Sequence, residues 1–182
     1  IKDKKPDGFF LENVRHLVNH DSGKTFKTIK KSLEKEGYSF NFKVIKASDF
    51  NLPQLRPRTF MVGFDKSKYG NEEFMFPEPI PLTTSMSDVF QADCTREIGF
   101  TLRVGGRGSA ITDRRNWDGY IVNGKEVRLS PIEGLRMQGF PDNFILSDSK
   151  VKSMKLLGNS VAVNVIENIG INIKSYLEQS SK

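Results

Sequence analysis

Only one cysteine, Cys94, occurs among the 182 residues. That excludes an internal disulfide and a zinc site built from several thiolates, and it agrees with a reducing cytosol. No run of about 18 apolar residues is present, so no segment has the composition of a transmembrane helix. The chain opens Ile1-Lys2-Asp3-Lys4-Lys5 without an initiating Met or an apolar stretch. A signal peptide is therefore not expected, and a fragment of a longer polypeptide is. Internal repeats and low-complexity tracts are also lacking, and no metal site is expected. What is there suits an ordinary globular core, with 37% hydrophobic and 27% charged residues. A net charge of +6 favours a polyanionic partner. Its distribution is more telling: five of the arginines fall between Arg96 and Arg115, a stretch without lysine. Arginine's planar fork reads guanine edges and clamps phosphate, whereas lysine supplies generic charge.

Along the chain, Gly8 to Val14 reads as a short buried strand ending in polar residues. Thr25 to Glu36 reads as a helix with Phe26, Ile29 and Leu33 on one face, stopped by Gly37. Tyr38 to Val44 alternates at period two, and Thr59 to Phe64 is a second apolar strand after the Asn51-Leu52-Pro53 turn. Interleaved helical and strand periods are an α/β pattern. From Asp65 to about Val127 the composition turns irregular, rich in Gly, Arg, Asp and Asn and without a helical period. Regular structure resumes at Ser130-Pro131-Ile132-Glu133, a capping box with Pro at the first helical position, and that helix ends at Gly139. A last helix is expected from about Asn159-Ser160, burying Val161, Val165, Ile169 and Ile173.

Four short constellations stand out. Glu12-Asn13-Val14 closes the first strand, where open α/β sheets place their sites; a solvent-facing Glu at a strand end is the other reading. Gln54-Leu55-Arg56-Pro57-Arg58 precedes an apolar strand, and alternate residues of a strand share a face, which would point Gln54, Arg56 and Arg58 the same way. Solvated arginines on an edge strand are the alternative. Arg128 to Pro141 (RLSPIEGLRMQGFP) contains Glu133 and Arg136 at helical i,i+3 spacing, suited to an ion pair. Gly158-Asn159-Ser160-Val161 precedes the last helix, whose unpaired N–H groups suit a carboxylate, although Asn-Ser there can also be a plain N-cap.

In this order and spacing the four resemble elements of the DNA cytosine-5 methyltransferases. The match departs from the family in Asn51, where a glycine is usual, and Asn is the next-best residue for a left-handed backbone. The resemblance implies a C-terminal portion of a Rossmann-like S-adenosylmethionine-dependent methyltransferase domain in residues 1–64. It further implies a small, irregular, β-rich target-recognition domain in 65–138, and C-terminal helices returning to the catalytic domain in 139–182. Glu12 would face N3 and the exocyclic amine of a flipped cytosine, easing nucleophilic addition at C6. Arg58 would meet the base O2, and Arg56 would hold phosphate or order the site. Asn159, Ser160 and Val161 would border the S-adenosylmethionine pocket. Gln54, Thr101, Arg103, Arg107, Arg114 and Arg115 are the candidate DNA contacts, some of them to phosphate alone. Trp117 is read as the core anchor of the insert.

The family's glycine-rich cofactor element and its Pro-Cys loop lie upstream of the first constellation, and neither is in this sequence. Cys94 follows Asp93 rather than Pro and is read as a small structural residue. The partners implied are double-stranded DNA and an N-terminal half or subunit carrying the Pro-Cys loop, with no membrane; the setting is the cytoplasm of a bacterium. This chain alone is expected to be inactive, since a thiolate at C6 is required. Three other readings stay open: a non-catalytic DNA-binding module on the same scaffold, an RNA-directed relative, and a generic nucleotide-binding α/β protein.

Overall fold

Gly8–Val14 forms the first strand, β1, where the apolar run Phe9-Phe10-Leu11 predicts one, although only Phe9 of it is buried. After a 3-10 segment the amphipathic stretch Lys24–Lys35 forms helix α1, and Gly37, with φ near +91°, ends that run. Strands β2 (Asn41–Ile45) and β3 (Arg58–Phe64) complete a three-stranded sheet in the order β1-β3-β2, with both pairings antiparallel. The sequence explains why β3 is central: from Thr59 to Phe64 every residue is buried, as a strand covered on both faces requires. A computed structural model describes residues 1–179 of this α/β protein. Among them, no helix is long and apolar enough to cross a membrane.

The chain folds into two compact units. The first holds Ile1–Ile45, Pro57–Glu78 and the segment from Asn168 onward; the second holds Lys46–Arg56 and Pro79–Glu167. The chain therefore enters the second unit at Lys46, before the irregular region begins. A boundary placed at residue 65 from composition passes over Lys46–Arg56, which packs with the insert rather than with the strands around it.

In the first unit, Phe9 and Met61 on one face of the sheet meet Phe26 of α1 and Tyr38, with Ile29 and Leu33 packed against them. On the opposite face Phe10 stacks near Phe60 at 6.0 Å, and Phe64 stacks on Tyr176 at 4.2 Å. Tyr176 belongs to the last helix, α6 (Val163–Gln179), numbered here after the helices of the second unit. Leu11, Phe42 and Val44 share the α1 side of the sheet by register and remain well exposed.

The second unit has its own apolar core, in which Met86, Leu102, Trp117, Tyr120, Leu129, Leu135, Met137 and Leu157 are buried. Its helices are α3 (Met86–Phe90), α4 (Pro131–Met137) and α5 (Lys150–Asn159); a single-turn α2 (Lys66–Tyr69) lies in the first unit. Strands β4 (Gly119–Val122) and β5 (Lys125–Arg128) form a hairpin. Its two turn residues, Asn123 and Gly124, both have positive φ, the conformation that an Asn-Gly pair favours in two-residue hairpins.

Gly63 is where the first unit tolerates least. A Cβ there would lie 2.0 Å from the Ser39 carbonyl oxygen and 2.5 Å from the Phe9 ring. Gly63→Ala is expected to destabilise the protein by about 2–3 kcal/mol, read from the midpoint of a urea unfolding curve.

Candidate functional site

Glu12 and Arg58 come together in the first unit. Register places Glu12 opposite Phe60 and Arg58 opposite Val14, so the two side chains are diagonal neighbours on one face of the β1–β3 pair. The Arg58 Nε lies 2.9 Å from the Glu12 carboxylate, with side-chain exposures of 16% and 27%. Burial pulls the Arg58 guanidinium below its ordinary value, and the neighbouring Glu12 carboxylate opposes that shift. A carboxyl group and a guanidinium are thus held side by side at the end of β1 and the start of β3, each with a remaining polar edge. Such a pair can meet a heterocycle that offers a ring nitrogen, an amine and a carbonyl.

Gln54 and Arg56 do not share that face. Pro53 and Pro57 flank them, and a residue lacking an N–H cannot join a central ladder, so the strand begins only at Arg58. Both side chains turn into the core of the second unit, with residue exposures of 0% and 3%. Gln54 Nε2 donates to the Met137 carbonyl at 2.9 Å and to Gln138 Oε1 at 3.3 Å, while its Oε1 accepts from the Leu102 N–H at 3.0 Å. Arg56 donates to the carbonyls of Leu102 at 3.1 Å and Gly158 at 3.0 Å, and to that of Ser160. Gln138 Nε2 completes the set by donating to the Leu157 carbonyl at 2.7 Å. The Gly158 and Ser160 carbonyls sit at the C-terminal end of α5, where the helix dipole favours a cation. Gln54, expected as a DNA contact, is fully buried, and Arg56, expected to hold phosphate or order the site, is buried in the core of the second unit.

Other expected contacts are also sorted by the structure. Arg103 and Arg114 are exposed and make no hydrogen bond or ion pair among the described residues. Thr101 is half-buried beside buried Leu102. Arg115 is engaged by Asp113, whose carboxylate it meets at 2.7 Å. Arg107 pairs with Asp118 at 3.3 Å. Trp117 is buried, as the core-anchor reading has it, with Nε1 donating to the Gly105 carbonyl at 3.0 Å. Burial pushes the Tyr120 phenol up to about 12, and its oxygen accepts from the Phe100 N–H.

Two local expectations change. Glu133 does not pair with Arg136: its carboxylate accepts from the Ser130 N–H at 2.7 Å, closing the helix start, and Arg136 pairs with Asp142 at 2.9 Å. Asn159 and Ser160 do not open the last helix, which starts at Val163; Asn159 ends α5 and Ser160 caps it, its hydroxyl donating to the Leu157 carbonyl. Asn51 behaves as its substitution for glycine requires. Its φ is +56°, and its side-chain oxygen accepts from the N–H groups of Thr83 and Thr84. Cys94 is buried, with its N–H donating to Ser87.

Sequence reasoning missed Asp118 as the shared partner of Arg107 and Arg128.

Comparison with known proteins gives a consistent result. The family model for C-5 cytosine-specific DNA methylases matches residues 1–103 and 94–175. The Type II methyltransferase M1.ScrFI of Lactococcus lactis subsp. cremoris is 34% identical over 214 residues, covering 100% of this chain and 55% of the relative. M.HhaI of Haemophilus parahaemolyticus is 31% identical, covering 97% of this chain and 66% of the relative. The chain thus spans between half and two thirds of the length of these relatives. Among solved structures, a mutant Spodoptera frugiperda DNMT2 superposes with a TM-score of 0.67 at 16% identity, covering 94% of this chain and 66% of that one. The Entamoeba histolytica methyltransferase EhMeth gives 0.60 at 17% identity, with coverages of 97% and 64%. At such identities these two establish the likeness of fold alone.

Two measurements test this geometry. Arg56→Leu leaves three carbonyls without their donor and is expected to cost about 3–5 kcal/mol, measured by urea unfolding. Asp113, held at about 2 by its hydrogen bonds to Arg115, is depressed below its unfolded value. The pair is therefore complete above that unfolded value and is lost only as pH falls through about 2. In a carboxyl-carbon NMR titration, Arg115→Gln should raise Asp113 part of the way to the ordinary carboxylate value, because the residue 115 N–H still donates to it at 2.7 Å.

Proposed function

The chain belongs to the C-5 cytosine-specific DNA methylase family, and from that premise we propose that it is the DNA-recognising part of a DNA cytosine-5 methyltransferase. In this reading it supplies the recognition region and part of the base and cofactor pockets for methyl transfer to C5 of a flipped cytosine in duplex DNA. The observation that carries it is the Glu12–Arg58 pair at 2.9 Å. A carboxyl group that hydrogen-bonds N3 and the exocyclic amine withdraws electron density from the ring and eases addition of a thiolate at C6. Arg58, aligned by Glu12, donates to O2 and stabilises the charge that develops on the ring as the C6 bond forms. After C5 is methylated, loss of the C5 proton and expulsion of the thiolate restore the aromatic base. The thiolate comes from a Pro-Cys loop on a partner segment or subunit, because Cys94 is buried in the second unit's core.

S-adenosylmethionine, when bound, supplies the electrophilic methyl group. Of the three residues assigned to its pocket, Asn159 is exposed and its carboxamide makes no hydrogen bond among the described residues, so it fits the role of a polar contact. Val161 can offer an apolar one. Ser160 contributes less directly, since its hydroxyl is committed to Leu157 and its carbonyl to Arg56. The electrostatic grip on DNA falls to exposed Arg103 and Arg114, and flanking glycines let backbone approach the duplex. The bacterial Type II relatives support a cytoplasmic setting.

The test is reconstitution. Mixed with an N-terminal half that carries the glycine-rich element and the Pro-Cys loop, the chain is expected to restore tritiated methyl incorporation into duplex DNA. Glu12→Gln should leave DNA binding within about twofold and lower methyl transfer by about 100-fold or more. Full activity of Glu12→Gln in that assay would sink the assignment of Glu12.

A further inference from the structure

We propose that Asp118 is the positioning residue of the recognition loop from Arg103 to Ser109, and that Arg107 and Arg128 are its partners rather than DNA contacts. This rests on the DNA-recognition reading above and removes Arg107 from its candidate contacts, leaving Arg103, Arg114 and the exposed Arg115 to meet the duplex.

The Asp118 side chain is only 2% exposed, and a buried carboxylate persists only when its oxygens are satisfied. Arg107 Nε approaches one oxygen at 3.3 Å and Arg128 Nη1 the other at 3.1 Å. The Gly108 N–H lies 3.3 Å from both. Arg107 also donates through Nη2 to the Leu129 carbonyl, while the Leu129 N–H donates to the Asp118 carbonyl at 2.8 Å. Next along the chain, Trp117 Nε1 holds the Gly105 carbonyl. The loop is thus fastened at Gly105, Arg107 and Gly108 to two adjacent residues, Trp117 and Asp118. Gly106 and Gly108 have φ near +78° and +84°, which lets the loop fold back to make these contacts. Gly119 is needed as well, because a Cβ there would lie 2.8 Å from Arg128 Nη1.

Arg107 therefore commits Nε to the buried carboxylate and Nη2 to the Leu129 carbonyl, and a DNA phosphate meeting either atom would have to displace that partner; only Nη1 is left open. Arg103 has neither constraint. Composition makes the two arginines look alike; their partners separate them.

The chain has a single tryptophan, so Trp117 fluorescence reports on this fastening directly. The variants are Asp118→Asn, Arg107→Gln and Arg103→Gln in the full chain. Quenching by acrylamide and affinity for a mixed-sequence duplex are measured across salt, at a temperature where circular dichroism reports full folding. Arg107→Gln and Asp118→Asn should raise quenching and weaken DNA binding about tenfold. The slope of log K against log salt should stay unchanged, because no phosphate contact is lost. Arg103→Gln should leave quenching as in the parent and reduce that slope by about 0.9. Wild-type quenching in Arg107→Gln together with a slope reduced by about 0.9 would overturn the proposal. Arg107, with a third of its side chain exposed, decides the matter however well Asp118→Asn folds. If the parent chain binds no duplex, the DNA reading fails, while quenching still shows whether Asp118 fastens the loop.

Discussion

Arg56 and Gln54 reach into the core of the second unit and satisfy backbone groups from three distant stretches of chain. Leu102 leads into the recognition loop, Met137 and Gln138 end α4, and Gly158 and Ser160 close α5. None of those carbonyls or N–H groups lies in a regular ladder, and a buried backbone group left unpaired costs about 1–3 kcal/mol. An apolar side chain could fill the same volume without saturating them. Close packing adds a second condition at Gly158, where a Cβ would lie 2.8 Å from the Arg103 carbonyl. The recognition loop and the end of α5 can approach this closely only with glycine there.

Because Arg56 is absorbed in this way, the two arginines of Q-x-R-x-R have different surroundings. Arg58 stays at the start of the central strand β3 with Glu12, and Arg56 ties Leu102 to the end of α5. The insert repeats the arrangement. Asp118 and Asp113 engage Arg107, Arg128 and Arg115, leaving fewer free cations than the count of arginines suggests. Positive charge is concentrated where structure does not consume it.

Strands β1, β2 and β3 and helix α1 are legible in the sequence because their apolar patterns are strong and Gly37 marks the end of α1. The strand positions of Glu12 and Arg58 are legible in the sequence; their pairing across β1 and β3 is not. Gln54 and Arg56 were read as a strand face because alternation was assumed to extend back across Pro57, and it does not. Helix α5 escaped notice for a different reason. Its buried face is Ser153, Met154, Leu157 and Gly158, while Val151 and Leu156 lie outside, so hydrophobicity carries no helical period. Asp118 was hidden because an acidic residue in a loop looks solvated until its partners are placed. The Asn123-Gly124 hairpin was readable from sequence and went unread.

The central claim is that Gln54 and Arg56 bind these segments into one cooperative unit. Native-state hydrogen exchange tests it most directly, followed at two amides: Leu102, which donates to Gln54, and Val163, which donates to the Gln138 carbonyl. The account predicts that both exchange only through global unfolding of the second unit, and that Arg56→Leu speeds both by the same factor. Exchange of Leu102 through a local opening that leaves Val163 protected and is indifferent to Arg56 would contradict it.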